Sequence, residues 1–127
     1  MQGSLVLVVE DNEKNMKLFR DVLHAKGYRM LEATTGEQAL ALATEHSPDL
    51  ILMDIQLPGM DGVTALGLLR ENDATAGTTV VALTAQAMQG DRERFLEAGF
   101  DGYISKPVDV PAFIEAVRRY CGRETDG

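Results

Sequence analysis

Tryptophan is missing from the chain, cysteine occurs once and histidine twice. The lone Cys121 rules out an internal disulfide. With no Cys or His companion at metal-site spacing it also argues against zinc, and reads as a small apolar residue at the edge of a core. No apolar run approaches the roughly 18 residues of a membrane-spanning helix. The opening MQGSLVLVVEDNEKN lacks the basic start, long apolar stretch and small-residue cleavage site of a secretion signal, so a cytoplasmic location is expected. Basic charge is also scarce, with 12 Lys and Arg against 20 Asp and Glu, a net charge of −8. That balance disfavours nucleic acid and anionic membrane as partners and favours a cation or a basic protein surface.

What remains is an ordinary globular composition in 127 residues, enough for one domain and one core. We expect a single domain over 1–127 with its core at about 4–121 and a frayed tail at 122–127. Leu5 to Val9 is a continuous apolar, β-branched run, the pattern of a strand covered on both faces. A helix follows with Met16, Phe19, Val22 and Leu23 at helical spacing, Asp11 or Asn12 as cap and Gly27 as terminator.

The unit recurs along the chain. Strands are expected at Arg29 to Ala33, Leu50 to Met53, Val80 to Leu83 and Gly102 to Ile104. Between them lie helices with Ala39, Leu40 and Ala43 inward, then Val63, Leu66 and Leu69, then Phe95 and Leu96 within Gln86 to Ala98. A last helix carries Phe113, Ile114, Val117 and Tyr120 on one face, capped by Asp109. Strands alternating with helices at this spacing imply right-handed crossovers and an α/β fold, a parallel sheet with helices on both faces.

Open parallel sheets bind ligands beyond the carboxyl ends of their strands. Reading that edge gives Glu10 and Asp11 after the first strand, Asp54 after the third, Thr84 after the fourth and Lys106 after the fifth. Singly, each has an ordinary explanation as a cap, a strand-end hydroxyl or a solvated lysine. Together, four strand ends deliver complementary groups to one place. Two carboxylates ~4 Å apart repel by about 4 kcal/mol at an effective dielectric of 20, so the cluster should hold a proton or bind a cation. A hard divalent ion suits an all-oxygen donor set, and Mg²⁺ bound by carboxylates completes its shell with water and phosphate oxygens. Asp54 is then a candidate nucleophile toward phosphorus, with the Lys106 ammonium and Thr84 hydroxyl around the transferred group.

The stretches VVEDN (8–12), LILMDIQLPGMDG (50–62), ALTAQA (82–87) and GYISKP (102–107), in that order, resemble the receiver domain of two-component response regulators across essentially the whole chain. The resemblance implies a flavodoxin-like five-stranded sheet of order 2-1-3-4-5 with five helices. It implies Asp54 as phosphoacceptor, Asp11 as a direct Mg²⁺ ligand, Glu10 reaching the ion through water, and the main-chain carbonyl of Gln56 as a further ligand. Thr84 and Tyr103 become the switch pair, Lys106 the phosphate-pairing lysine, and Ala85, Gln86 and a cis Pro107 the residues that shape the phosphoryl site. Phosphorylation would remodel the face of helix four, strand five and helix five, so the chain would be a switch catalysing only its own phosphorylation and dephosphorylation.

The implied partners are a histidine kinase or a histidine phosphotransfer protein and a downstream protein target. The implied state is a monomer, with a phosphorylation-promoted dimer as a further expectation. A strand beginning four residues after Met1 leads us to expect a natural start and a free-standing regulator; a relay intermediate or the receiver of a hybrid kinase is the alternative. Two other classes fit less well. A haloacid-dehalogenase-type phosphatase would want a second aspartate where Gln56 stands, and a flavin binder would want a small hydroxyl-rich loop where EDNEKN presents acids. His24 and His46 are expected at the surface, so a donor histidine would belong to a partner.

Overall fold

The computed structural model describes residues 3–85 and 91–121, with the backbone alone for Asp91 and Arg92. Gln86 and the 122–127 tail lie outside the described residues. Strands and helices alternate as β1 (Leu5–Val9), α1 (Glu13–Ala25), β2 (Arg29–Ala33), α2 (Gly36–His46), β3 (Leu50–Asp54), α3 (Gly62–Glu71), β4 (Thr79–Thr84), α4 (Asp91–Ala98), β5 (Gly102–Ser105) and α5 (Val110–Cys121). All strand pairs are parallel, as the alternation of strands and helices implied, and the sheet order is β2-β1-β3-β4-β5, as the resemblance implied. No helix among the described residues is long and apolar enough to cross a membrane.

Strand side chains alternate between two cores because the pleat has a period of two. Leu7, Val9, Ile51, Met53, Val80 and Ala82 pack on one face with Leu66 and Leu69 of α3 and Phe95 of α4. Val6, Val8, Leu50, Leu52, Val81 and Leu83 pack on the other with Phe19 of α1 and Phe113 and Val117 of α5. The Phe19 and Phe113 rings stack at 5.1 Å, tying the first and last helices together. Every residue of β3 is buried, including its terminal acid, so Asp54 is carried by the most enclosed strand of the sheet.

Helix starts follow local chemistry. Of the two caps offered for α1, Asn12 takes the position, its Oδ1 accepting the Asn15 N–H at 3.0 Å, which leaves Asp11 out of the capping bond. Thr35 and Gln38 share the α2 start: the Gln38 N–H reaches Thr35 Oγ1 while Gln38 Oε1 accepts from the Thr34 N–H at 2.8 Å, a capping box shifted by one residue. Asp61 caps α3 and Asp109 caps α5.

Two expected inward residues face solvent instead. The buried stripe of α3 is Gly62, Ala65, Leu66 and Leu69, and Val63, one residue and about 100° around from Gly62, is 42% exposed. On α4, Phe95 occupies the inward position, and its neighbour Leu96 turns away and is 41% exposed. His24 and His46 are exposed, and Cys121 is buried.

Candidate functional site

β1, β3, β4 and β5 run in parallel register, so their carboxyl ends bring Glu10, Asp11, Asp54, Ala85 and Lys106 to the rim of one cleft of about 450 Å³. One oxygen from each of Glu10, Asp11 and Asp54 lies within 4.8 Å of the other two. Asp11 is exposed, whereas Glu10 and Asp54 are 1% and 5% exposed. Thr84, at the end of β4, is buried, and its carbonyl accepts the Lys106 N–H at 2.8 Å, which locks β5 to β4 beside the cleft.

Lys106 enters from the loop after β5, where the Lys106–Pro107 peptide is cis, as the resemblance implied. Its ammonium lies 2.9 Å from Asp54 Oδ2 and 2.8 Å from Glu10 Oε1. Burial lowers the affinity of the ammonium for its proton, but the bonds to Glu10 and Asp54 outweigh that and push the Lys106 pKa up. Burial pushes the Glu10 carboxyl up; Lys106 opposes the shift and the neighbouring Asp54 charge adds to it. The second oxygen of each buried acid is held by the backbone two residues on: Asp54 Oδ1 accepts the Gln56 N–H at 2.9 Å and Glu10 Oε2 the Asn12 N–H at 3.2 Å.

The donor set fits a hard divalent cation. It is all oxygen, carries three acids against one ammonium, and contains in Glu10 Oε1 a buried oxygen that meets the Lys106 ammonium as an ion pair at 2.8 Å. Gln56 lines the same cleft. Tyr103 stands half-buried on β5, its ring 6.3 Å from that of Phe95, between the core and the α4–β5 surface.

The cleft also has walls that the strand-end reading did not name: Asn12, Asn15, Leu57 and Pro58. Asn15 could have been found from the cap, since the residue three positions after Asn12 lies on the same side of the first helical turn. The Glu10–Lys106 contact was likewise not expected, because the resemblance assigned Glu10 to the cation alone.

An α/β sheet that ends in a trio of acids, a hydroxyl and a lysine defines a class of protein built to handle a phosphoryl group at a strand-end carboxylate. Comparison with known proteins makes the class specific: residues 6–118 match the response regulator receiver domain, and the chain belongs to that family. It is 51% identical over 117 residues to the polar-differentiation response regulator DivK of Brucella anthropi, covering 92% of this chain and 95% of that protein. Among solved structures it resembles the receiver domain of a sensor histidine kinase from Pseudomonas aeruginosa PAO1, with a magnesium ion coordinated in its active-site cleft. That match has a TM-score of 0.86 and 37% identity, and covers 94% of this chain and 98% of that one. It also resembles a chain in the Saccharomyces cerevisiae co-crystal of the histidine phosphotransfer protein Ypd1 with the receiver domain of its downstream response regulator Ssk1. There the TM-score is 0.87 at 28% identity, over 97% of this chain and 92% of that one. The protein is therefore a receiver of phosphorylation-based two-component signalling.

Proposed function

We propose that Asp54 is the phosphoacceptor and that the whole chain, 1–127, works as one receiver domain. The observation that carries this reading is the position of Asp54: a buried acid at the end of the central strand, one oxygen on the Gln56 amide and the other on Lys106, facing an open cleft. One Asp54 oxygen attacks the phosphorus of a phosphohistidine on a partner. A P–O bond forms, the P–N bond breaks, and the imidazole leaves with its electron pair and is protonated. The fixed ammonium of Lys106 balances charge on the oxygens of the transferred group, and Ala85, which carries only a methyl group, leaves that group room.

Asp11, Glu10, Asp54 and the Gln56 carbonyl are the groups that would hold Mg²⁺, which when bound supplies charge neutralisation for the incoming phosphoryl oxygens. The magnesium in the Pseudomonas receiver and the acid trio here support that assignment. Thr84 and Tyr103 form the switch. The Thr84 hydroxyl is drawn toward the phosphoryl group, and the Tyr103 ring, half-buried beside Phe95, takes up the space released, remodelling the α4–β5–α5 surface. Pro107, whose peptide bond to Lys106 is cis, shapes the approach to the phosphoryl site. The chain catalyses its own phosphorylation and dephosphorylation, as a cytoplasmic monomer able to dimerise on phosphorylation.

The identity to DivK favours a role in bacterial polar differentiation, with a histidine kinase as the regulated partner. The Ypd1 complex favours a histidine phosphotransfer protein as a source of phosphoryl groups. Intact-mass spectrometry after exposure to a small acyl phosphate tests the chemistry. One phosphoryl adduct is expected on the native chain with Mg²⁺, and none on Asp54→Asn or in chelator; equal labelling of the variant would reject Asp54.

A further inference from the structure

Along α4 the described side chains give little hold: Phe95 is buried, while Glu93, Arg94, Leu96, Glu97 and Ala98 are exposed. Its C-terminal end is tightly closed. The Gly99 amide donates to Leu96 O and the Phe100 amide to Phe95 O, both at 3.1 Å, with Gly99 at φ +115°, a pattern that satisfies the last carbonyls of a helix. The Phe95 and Phe100 rings meet edge to face at 6.1 Å, the apolar contact that accompanies such an end. Asp101 then joins β4 twice. Its amide donates to Val80 O at 2.7 Å, and its Oδ2 accepts the Val80 amide at 2.8 Å.

Arg70, in the last turn of α3, ties these parts together. Its Nη2 donates to Gly99 O at 2.9 Å and to Asp101 Oδ2 at 3.1 Å, and its Nη1 to Ala76 O at 2.9 Å and Thr78 O at 2.6 Å. The ion pair alone is worth little, because the Asp101 side chain is 45% exposed. The strength lies in the planar fork, which meets four acceptors on two loops at once; a lysine ammonium is a compact donor on a flexible stem and cannot span them. This clasp sits at the start of β4 and β5, and the acid cleft at their carboxyl ends.

Phe95 has a second ring beside it, that of Tyr103 at 6.3 Å. One inward side chain of α4 therefore packs between a fixed neighbour, Phe100, and the half-buried tyrosine of β5. A rigid helix held at one end answers a push on its side by turning about that end, and residues at the end of an element absorb the change in backbone angles.

We propose that Gly99 to Asp101, clasped by Arg70, form the pivot of α4. When the switch acts, the helix swings about this end instead of sliding along the sheet, re-aiming the surface around Leu96 while the start of β5 stays on β4. Arg70 is a positioning residue for that surface. The pivot rests on the switch assigned to Thr84 and Tyr103 above.

Backbone residual dipolar couplings test it on the full chain, with Mg²⁺ alone and with Mg²⁺ and beryllium fluoride as the phosphoryl mimic. In the native chain the amides of 93–97 should reorient relative to the sheet on loading, while those of Gly99, Phe100 and Asp101 keep their orientation. In Arg70→Lys the reorientation should spread to 99–101, with Asp54 still labelled by a small acyl phosphate. Equal reorientation of 93–97 and 99–101 in the native chain would overturn the pivot. So would an Arg70→Lys chain in which 99–101 hold their orientation on loading. Should that variant fail to fold, the native comparison decides alone. If α4 keeps its orientation although the mimic is bound at Asp54, the switch reading itself is overturned, and the pivot with it.

Discussion

A Cβ built on Gly62 lies 2.4 Å from the carbonyl oxygen of Asp54. The first residue of α3 therefore presses directly on the backbone that carries the phosphoacceptor candidate, and its amide closes the turn by donating to Ile55 O at 2.9 Å. Gly62→Ala forces that turn apart. It should cost about 1–3 kcal/mol in urea unfolding, in the range of other overpacked sites, and should slow phosphoryl uptake as the Asp54 carboxylate shifts. A variant that matches the native chain in both measurements would show that the turn relaxes without moving Asp54.

Ser47 ends α2 in the left-handed region, with φ +51°, while its amide still donates to Ala43 O at 3.0 Å. A side chain in that conformation costs on the order of 1 kcal/mol, and glycine removes the strain at the expense of a more flexible unfolded chain. Ser47→Gly should raise stability by up to about 1 kcal/mol with phosphorylation unchanged, since the helix end lies at the opposite edge of the sheet from the cleft. Chemical denaturation of the two proteins side by side is the check.

Asp61 caps α3, its Oδ1 accepting the Thr64 N–H at 2.8 Å, and that backbone hydrogen bond holds its carboxyl below the ordinary aspartate range. A depressed folded-state pKa gives stability that is present above the unfolded pKa near 3.9 and is lost as pH falls through the lower folded value. Asp61→Ala should cost about 1 kcal/mol at neutral pH. Asp61→Asn, which keeps a capping oxygen, should be close to native there but should lack this acid-dependent loss. Unfolding curves taken from pH 7 down to pH 3 separate the two variants.

The strands and the edge that carries the cleft were legible because both depend on short-range pattern. Five-residue apolar runs such as Leu50 to Met53 have no good alternative to burial, and a polar residue that terminates such a run in a parallel sheet must sit at the ligand-binding edge. Asp54, Asp11 and Lys106 were placed at this edge by that pattern, and all three line the cleft. Val63 and Leu96 were misread because each stands beside a residue that belongs on the buried stripe, and a step of one residue on a helix turns the side chain by about 100°. Arg70 shows what local pattern cannot carry. Its guanidinium spans 31 positions to Asp101 Oδ2 at 3.1 Å and also reaches the carbonyls of Ala76, Thr78 and Gly99, pinning the start of β5 to the end of α3. The Glu10–Lys106 contact was hidden for the same reason, since it depends on which rotamers two distant side chains adopt across the cleft.

Divalent metal should raise stability as well as support chemistry, because the folded chain gathers Glu10, Asp11 and Asp54 within mutual reach and the unfolded chain disperses them. The repulsion among those acids is only partly relieved by Lys106, so a bound cation favours the folded state by RT ln(1 + [L]/Kd), about 2.7 kcal/mol at a hundredfold excess over Kd. For a domain of this size the melting temperature should then rise on the order of 10 °C. Chelator should reverse the rise fully. Asp11→Asn should remove most of it: Asp11 is exposed, makes no capping bond and contacts the cleft, so its substitution weakens the cation site with little effect on the cation-free fold. A melting temperature indifferent to Mg²⁺ in the native chain would mean that the acid trio does not bind the ion. An equal rise in Asp11→Asn would assign the binding to Glu10 and Asp54 alone.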